Sequence, residues 1–375
     1  MITSARCRDP LRVLTPLRLL TVLGCALVVA TLASARPAEA AKAAKGKAAE
    51  ANSAGYAERD DVRAFIGEMA SEYGFDRASL ARVFRTVRYQ PSIVAAMDRP
   101  LLEPPKWYTY SRPFLSSERV AGGVAYWNAN SSALATAEER YGVPAEIIVA
   151  IIGVETFYGK VAGNYRVLDA LSTLAFDYPR RAAFFRGELK QFLLLSRELA
   201  MPPQAAKGSF AGAMGVPQFM PGSYRTYAVD ADGSGHPDLW RSPADIAGSV
   251  ANYLARHDWQ RNGPVLLPAA IAEDKRDAIL RKLDGGLSER RAAEAWAADG
   301  VSVADPAAGP IEEPVGLLLL EESVDGVDGA AYRIAFNNFY VLTRYNRSRL
   351  YATAVYELAK AVASARGVAR SPALR

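Results

Sequence analysis

Apolar residues recur at helical spacing through most of the chain. Val62, Phe65, Ile66 and Met69 fall at i, i+3, i+4 and i+7, and Gly74 closes the stretch, which predicts a helix ending there. Leu80, Val83, Phe84 and Val87 repeat the pattern. The Pro- and aromatic-rich stretch from Pro100 to Pro113 predicts a structured loop holding Trp107, Tyr108 and Tyr110. From about 117 to 262 the chain reads as mostly helical. Over 264–340 the period changes. Val315–Glu322 and Ala331–Phe336 are extended apolar runs around Asp325-Gly326-Val327-Asp328-Gly329, a hairpin signal, and Ile279, Leu280 and Leu283 mark a helix before them. A last helix runs from Ser348 through Tyr351, Val355, Leu358 and Val362 to Gly367, with Ser and Gly as fitting caps.

The start of the chain follows none of these patterns. An Arg-rich segment, the apolar stretch Leu19–Ala30 and the small residues ending in Ala38-Glu39-Ala40 form an export signal, residues 1–40, cut after Ala40. Val22-Leu23-Gly24-Cys25 approaches a lipoprotein box, which leaves an outer-membrane lipid anchor at Cys25 as the alternative. Apolar residues continue past Cys25, however, and place it inside the apolar region. Residues 41–55, rich in Ala, Lys and Gly, read as a linker. The expected location is therefore the periplasm.

With 375 residues, half of them apolar and 23% charged, the chain has enough apolar surface for a large core. That excludes disordered, collagen-like and polytopic membrane classes. The net charge of +5 falls to +2 once residues 1–40 are removed, so basicity is no argument for a nucleic-acid partner. The same cut removes Cys7 and Cys25, which excludes thiol catalysis and cysteine zinc sites. His236 and His257 remain, too few for a His-rich catalytic zinc shell. No nucleotide, metalloprotease or serine-hydrolase motif is present, and no organic cofactor is expected.

Two segments carry chemistry. The first runs from Pro144 to Gly159 and is apolar on nearly every face, so it predicts a buried helix with Pro144 in its first turn and Gly159 at its stop. Glu155 shares a face with Ile148 and Ile151 in the last turn. Desolvation and the negative end of the helix dipole both raise its pKa there, as a general acid requires. The alternative is a buried glutamate paired with Arg180 or Arg181. The second segment is Asp230-Ala231-Asp232-Gly233-Ser234-Gly235-His236-Pro237-Asp238, with oxygen donors at loop positions 1, 3 and 5, glycine at 6 and the His236 carbonyl at 7. Arg241 stands at position 12, where a bidentate Glu belongs, and Asp245 is the candidate to close the site. These hard donors suit Ca²⁺; the alternative is a metal-free turn.

Ile151-Ile152-Gly153-Val154-Glu155-Thr156, Leu168–Leu171, Tyr178-Pro179-Arg180-Arg181, Gly208–Pro221, the calcium-like loop, Ser249–Tyr253 and Asn338–Asn346 together resemble the lytic murein transglycosylase B family over roughly residues 56–366. The resemblance implies a mainly α fold. An N-terminal helical lobe (56–116) would precede a lysozyme-like core with the EF-hand-like loop (117–263) and a small α/β lobe (264–340). A C-terminal helix returning to the core (341–367) and a tail (368–375) would follow. It implies cleavage of the β-1,4 bond between N-acetylmuramic acid and N-acetylglucosamine in peptidoglycan strands, with Glu155 as sole catalytic carboxylate and a 1,6-anhydro product. It further implies that Ser209, Gln218, Tyr110, Tyr253, Tyr345, Asn346 and Tyr351 line the sugar site and that Arg180 and Arg181 meet acidic peptide stems. Cell-wall synthesis or division proteins are conceivable partners. Two departures stand out: Val216-Pro217 precedes Gln218 where some members have an aromatic and glycine, and one extra residue lies between Trp240 and Asp245. The competing readings are a hydrolytic muramidase using Asp169 or Asp177 to place water, and a wall-binding protein without catalysis.

Overall fold

The computed structural model describes residues 55–99, 105–283, 285–304, 310–324, 326–368 and 371–374. The export signal, Cys25 and all but the last residue of the linker lie outside them.

The N-terminal lobe follows its apolar periodicity. Helix α1 (Asp60–Tyr73) buries Val62, Phe65, Ile66 and Met69 and stops at Gly74 with φ 67°. Helix α2 (Arg77–Phe84) begins at Asp76, whose carboxylate accepts the Ser79 N–H, and Val87 lies just past its end. Helix α3 (Pro91–Met97) follows. The expected loop over 100–113 contains a helical turn, α4 (Trp107–Tyr110), with Trp107 buried.

The core is built on helices α5 (Ser117–Ala129), α6 (Ser131–Tyr141) and α7 (Ala145–Thr156). Every residue of α7 from Ala145 to Gly153 is buried, and each enclosed Ile contributes about 2 kcal/mol of transfer free energy. The two-residue strand β1 (Tyr165–Arg166) leads into α8 (Val167–Asp177), against which α9 (Ala182–Glu198) packs. Strand β2 (Lys207–Gly208) pairs antiparallel with β1. Helices α10 (Pro221–Tyr227) and α11 (Pro243–Ala255) complete this part, α11 lying on α6. Asp177 on α8 holds the N-terminal lobe by accepting from Arg59 at 2.7 Å.

The small lobe is a four-stranded antiparallel sheet, β3 (Leu266–Ile271), β4 (Val301–Val303), β5 (Gly316–Val324) and β6 (Val327–Ala335), in the order β4-β3-β6-β5. Helices α12 (Arg276–Leu280) and α13 (Ala293–Ala298) close a separate core around Ile279, Trp296, Leu317 and Ile334. Val324 pairs with Val327, so the hairpin turn is tighter than expected and Asp328 and Gly329 belong to a strand.

The C-terminal segment departs from expectation. Residues 341–367 are not one helix, and the boundary at 340 falls inside α14 (Asn337–Tyr345). The chain is extended at Asn346 and restarts as α15 (Arg349–Arg366) under the Ser348 cap, whose hydroxyl accepts the Tyr351 N–H. A stronger local signal, a cap with its side-chain acceptor, ends one helix and begins the next. Helix α15 then lies against α7 and α5. Among the described residues, no helix is long and apolar enough to cross a membrane.

Candidate active site

Helix α7 ends three residues before the glycine that marks its stop in the sequence. Phe157, Tyr158 and Gly159 have φ of 51°, 60° and 86°. A left-handed backbone costs about 1–2 kcal/mol at a non-glycine residue, so packing must hold it. Thr156 Oγ1 accepts the Gly159 N–H at 3.0 Å and donates to the Val216 carbonyl at 2.9 Å. The Tyr158 hydroxyl donates to the Arg119 carbonyl at 2.8 Å, and its ring lies so close to Gly153 that a Cβ there would meet it at 2.7 Å. The Arg119 guanidinium covers the Phe157 ring at 4.7 Å and donates to the Gly153 carbonyl. This clamp aims the last turn of α7, and with it Glu155. Arg119, Gly153 and Tyr158 were not singled out in the sequence. The available signal was Gly122-Gly123 and Gly153, small residues inside helices, which meet the same tyrosine ring.

Glu155 itself is half-buried, reachable from outside but ringed by phenols. Its Oε1 accepts the Tyr351 hydroxyl at 2.6 Å. Tyr345 lies parallel to Tyr351, with ring centroids 6.4 Å apart and planes 11° apart. Tyr110, half-buried on α4, is near enough that burial and the Glu155 charge together push its pKa up to about 12. Burial pushes the Glu155 carboxyl up to about 7, against the opposing pull of the Tyr351 hydrogen bond. The Tyr345 and Tyr351 phenols are raised by burial and the Glu155 charge, so they stay neutral donors.

The alternative pairing of Glu155 with an arginine is overturned. Arg180 pairs with Asp98 at 3.4 Å, and Arg181 lies over the Phe184 and Phe185 rings. Both sit at the far end of α8 from β1, about 16 Å along an eleven-residue helix. Among the described residues, no cation bonds Glu155. Asp169 and Asp177 are engaged with other partners. Asp177 holds Arg59, while Asp169 accepts the Arg88 N–H at 3.1 Å and lies 3.5 Å from Arg166.

The remaining expected sugar-site residues build the surroundings. Ser209 Oγ is not a helix cap but accepts the N–H groups of Ala211 and Ala213 at 3.3 and 3.0 Å. Gln218, at φ 52°, donates to the Ala162 and Gly215 carbonyls, a loop-building role. Tyr345 donates to the Pro217 carbonyl at 2.7 Å and Tyr253 to the Arg344 carbonyl at 2.7 Å, so both hydroxyls serve the backbone. The two rings meet edge-on at 4.9 Å. Asn346 is buried, and its Oδ1 has no hydrogen-bond partner among the described residues.

A family model described as the transglycosylase SLT domain matches residues 57–360. The chain belongs to the transglycosylase SLT family. It is 41% identical over 320 residues to membrane-bound lytic murein transglycosylase B of Escherichia coli (strain K12), covering 83% of this chain and 85% of that one. The crystal structure of Escherichia coli lytic transglycosylase Slt35 in complex with calcium matches with TM-score 0.74 and 41% identity, over 83% of this chain and 95% of that one. SltB3 from Pseudomonas aeruginosa in complex with NAG-anhNAM-pentapeptide matches with TM-score 0.68 and 31% identity, over 81% and 79%. The mainly helical, lysozyme-like fold expected from the sequence is thereby shown.

In this transglycosylase the acidic loop closes as its residue types demand. Asp230, Asp232 and Asp245 each offer a carboxylate oxygen, all within 4.8 Å of one another. Asp245 joins the cluster despite Arg241 at loop position 12. Asp245 is fully buried at the start of α11 and accepts the N–H groups of Ala231, Asp232 and Asp238. The Ser234 hydroxyl donates to the His236 carbonyl at 3.2 Å, which puts both remaining donors side by side. Three converging carboxylates on a glycine-bearing loop fit a hard cation of the Ca²⁺ type. The loop also reaches the site, because the Leu239 carbonyl accepts the Val216 N–H at 2.8 Å and Val216 in turn accepts from Thr156.

Proposed function

We propose that Glu155 is the single acid and base of a lytic transglycosylase that cuts the β-1,4 bond between N-acetylmuramic acid and N-acetylglucosamine in peptidoglycan. The observation that carries this is a carboxyl in the last turn of a buried helix whose Oε1 accepts a neutral tyrosine at 2.6 Å, and burial pushes it up to about 7. At neutral pH a large fraction is protonated and ready to donate. The proton goes to the bridging oxygen as the bond to the muramic C1 breaks and positive charge develops there. The carboxylate left behind takes the proton of the same sugar's 6-hydroxyl, which bonds to C1 and closes the 1,6-anhydro ring. An attack within one sugar needs no second carboxylate to activate water and gains the effective concentration of an intramolecular reaction.

The positions of Asp169 and Asp177, both spent on the N-terminal lobe, speak against the hydrolytic alternative. The anhydro-sugar complex of the Pseudomonas aeruginosa relative is consistent with the product. Tyr110, half-buried, would offer its ring to the sugar. Tyr351, Tyr345 and Tyr253 are buried, so they would support Glu155 from within the core rather than face the sugar. Asn346, buried with its Oδ1, would lie beneath the sugar site rather than touch the glycan. Ser209 and Gln218 would shape the loop beside it, and Arg180 and Arg181 would meet stem carboxylates farther out. Asp230, Asp232, Ser234, the His236 carbonyl and Asp245 would hold a structural Ca²⁺, which stiffens the loop. Export to the periplasm fits this substrate.

Mass analysis of products from digested peptidoglycan tests the reading. A muramic end lighter by one water than the hydrolytic product is expected; a free reducing end overturns it. Glu155→Gln should abolish turnover and leave the fold intact.

A further inference from the structure

No residue of the small sheet lobe hydrogen-bonds Glu155 among the described residues, yet one of its side chains joins the two elements that surround that carboxyl. We infer that Glu321 on β5 is a positioning residue that ties the turn carrying Tyr110 to the Arg349 end of α15 and so holds Tyr110 beside Glu155. The inference rests on Glu155 being the reacting carboxyl.

The geometry is a two-sided clamp. Glu321 Oε1 accepts from Arg349 Nη2 at 2.7 Å. Its Oε2 accepts the Trp107 N–H at 3.4 Å. Arg349 opens α15 two residues before Tyr351, and Trp107 opens α4 three residues before Tyr110. One carboxylate therefore ties the first turns of both tyrosine-bearing helices to the same strand.

The Arg349 side is built closely. Its Nε donates to the Gly285 carbonyl at 2.5 Å and its Nη1 to the Leu319 carbonyl at 2.8 Å. A Cβ on Gly286 would fall 2.6 Å from Arg349 Nε, so only glycine lets the guanidinium lie this close. The Arg349 side chain is only 12% exposed and that of Glu321 30%, which sets this pair apart from the open Lys106–Asp328 pair on the same hairpin, at 50% and 61%. Burial pushes the Glu321 carboxyl up, but Arg349 and the Trp107 N–H outweigh it and hold it below the usual range. A charge-assisted hydrogen bond to a guanidinium held on two further carbonyls fixes orientation as well as adding energy. Misplacing a positioned group by about 1 Å can cost about 100-fold in rate.

Removing Glu321 leaves Arg349 two carbonyl partners, so Tyr351 is largely retained. Helix α4 loses the hydrogen bond that fixes its first turn on β5 and keeps only the buried Trp107 ring and the open Lys106–Asp328 pair, so Tyr110 shifts and admits water to Glu155. The test compares the wild type with Glu321→Ala, Glu321→Gln and Glu155→Gln on purified peptidoglycan, recording kcat, KM, the pH profile and Tm. Glu321→Ala is expected to lower kcat about 10-fold or more with KM changed about twofold or less. The alkaline limb of its profile should move down by about half a pH unit, as the carboxyl regains water. Glu321→Gln keeps an acceptor and should fall between the two; if the alanine variant fails to fold, it carries the test. A folded variant with wild-type kcat and an unmoved pH profile overturns the inference, whatever its Tm. Active Glu155→Gln would instead remove the reading of Glu155. An inert Glu155→Gln beside an unaltered Glu321→Ala sinks the positioning role alone.

Discussion

The Tyr351 hydroxyl reaches Glu155 Oε1 at 2.6 Å across 196 residues of sequence, from the first turn of α15 to the last turn of α7. A neutral phenol thus takes the place where an ion pair would have kept the carboxyl charged. It stabilises the carboxylate only enough to moderate the burial effect.

Tyr351→Phe removes a donor to the charged form, so the Glu155 pKa rises. A hydrogen bond to a charged group is worth about 1.5–3 kcal/mol, which corresponds to a shift of about one pH unit or more. The alkaline limb of the pH–rate profile should move up, and kcat should fall about 10-fold as the carboxylate loses its orienting partner. An unmoved limb would show that the bond is not made in the working enzyme.

Glu155→Gln should stabilise the protein, and more so at alkaline pH. With a folded-state pKa pushed up to about 7, the native state binds more protons than the unfolded chain between its ordinary value of 4.5 and 7. Stability is therefore lost as pH rises through that window. A fully effective shift is worth up to about 3 kcal/mol. Denaturant unfolding at pH 8 and pH 5 measures it; the gain of the variant should shrink toward pH 5.

Gly153→Ala places a methyl 2.7 Å from the Tyr158 ring. The ring is trapped between helices, so the expected cost is about 1–3 kcal/mol, with a lower Tm. Turnover should fall with it, because the same ring holds the turn after Glu155. Wild-type Tm and activity in the alanine variant would deny the clamp.

Chelation should lower Tm by several degrees, with recovery on adding Ca²⁺ but not Mg²⁺, since binding to the native state alone stabilises by mass action. Asp245→Asn should mimic chelation. It also weakens the acceptor for three loop N–H groups. Below the transition, turnover should persist. A Tm indifferent to chelator would leave the loop as a metal-free turn.

Much of this was legible along the chain. Glu155 stood out because an acidic residue in an apolar helix has few structural excuses, and the acidic loop because its oxygen donors are close in sequence. Asp245 reaches the loop because the Ser242 cap of α11 sets where that aspartate lies. The stop of α7 was misplaced because a glycine rule describes unassisted backbone, whereas Arg119 and the neighbouring loop hold Phe157 and Tyr158 left-handed. The start of α15 was legible from the Ser348 cap, whereas the lobe boundary at 340 was misplaced because α14 begins at Asn337 and continues across it.

The order of residues alone determined the helical character, the acidic residue at the end of a buried helix and the oxygen-rich loop. Each depends on neighbours within a turn or two, where spacing translates directly into a shared face or a shared ion. Only tertiary structure decided that Glu155 meets a tyrosine and no arginine, that Asp169 and Asp177 serve another lobe, and that Glu321 couples α4 to α15. Those relations join elements distant in the chain, and packing among many side chains selects them.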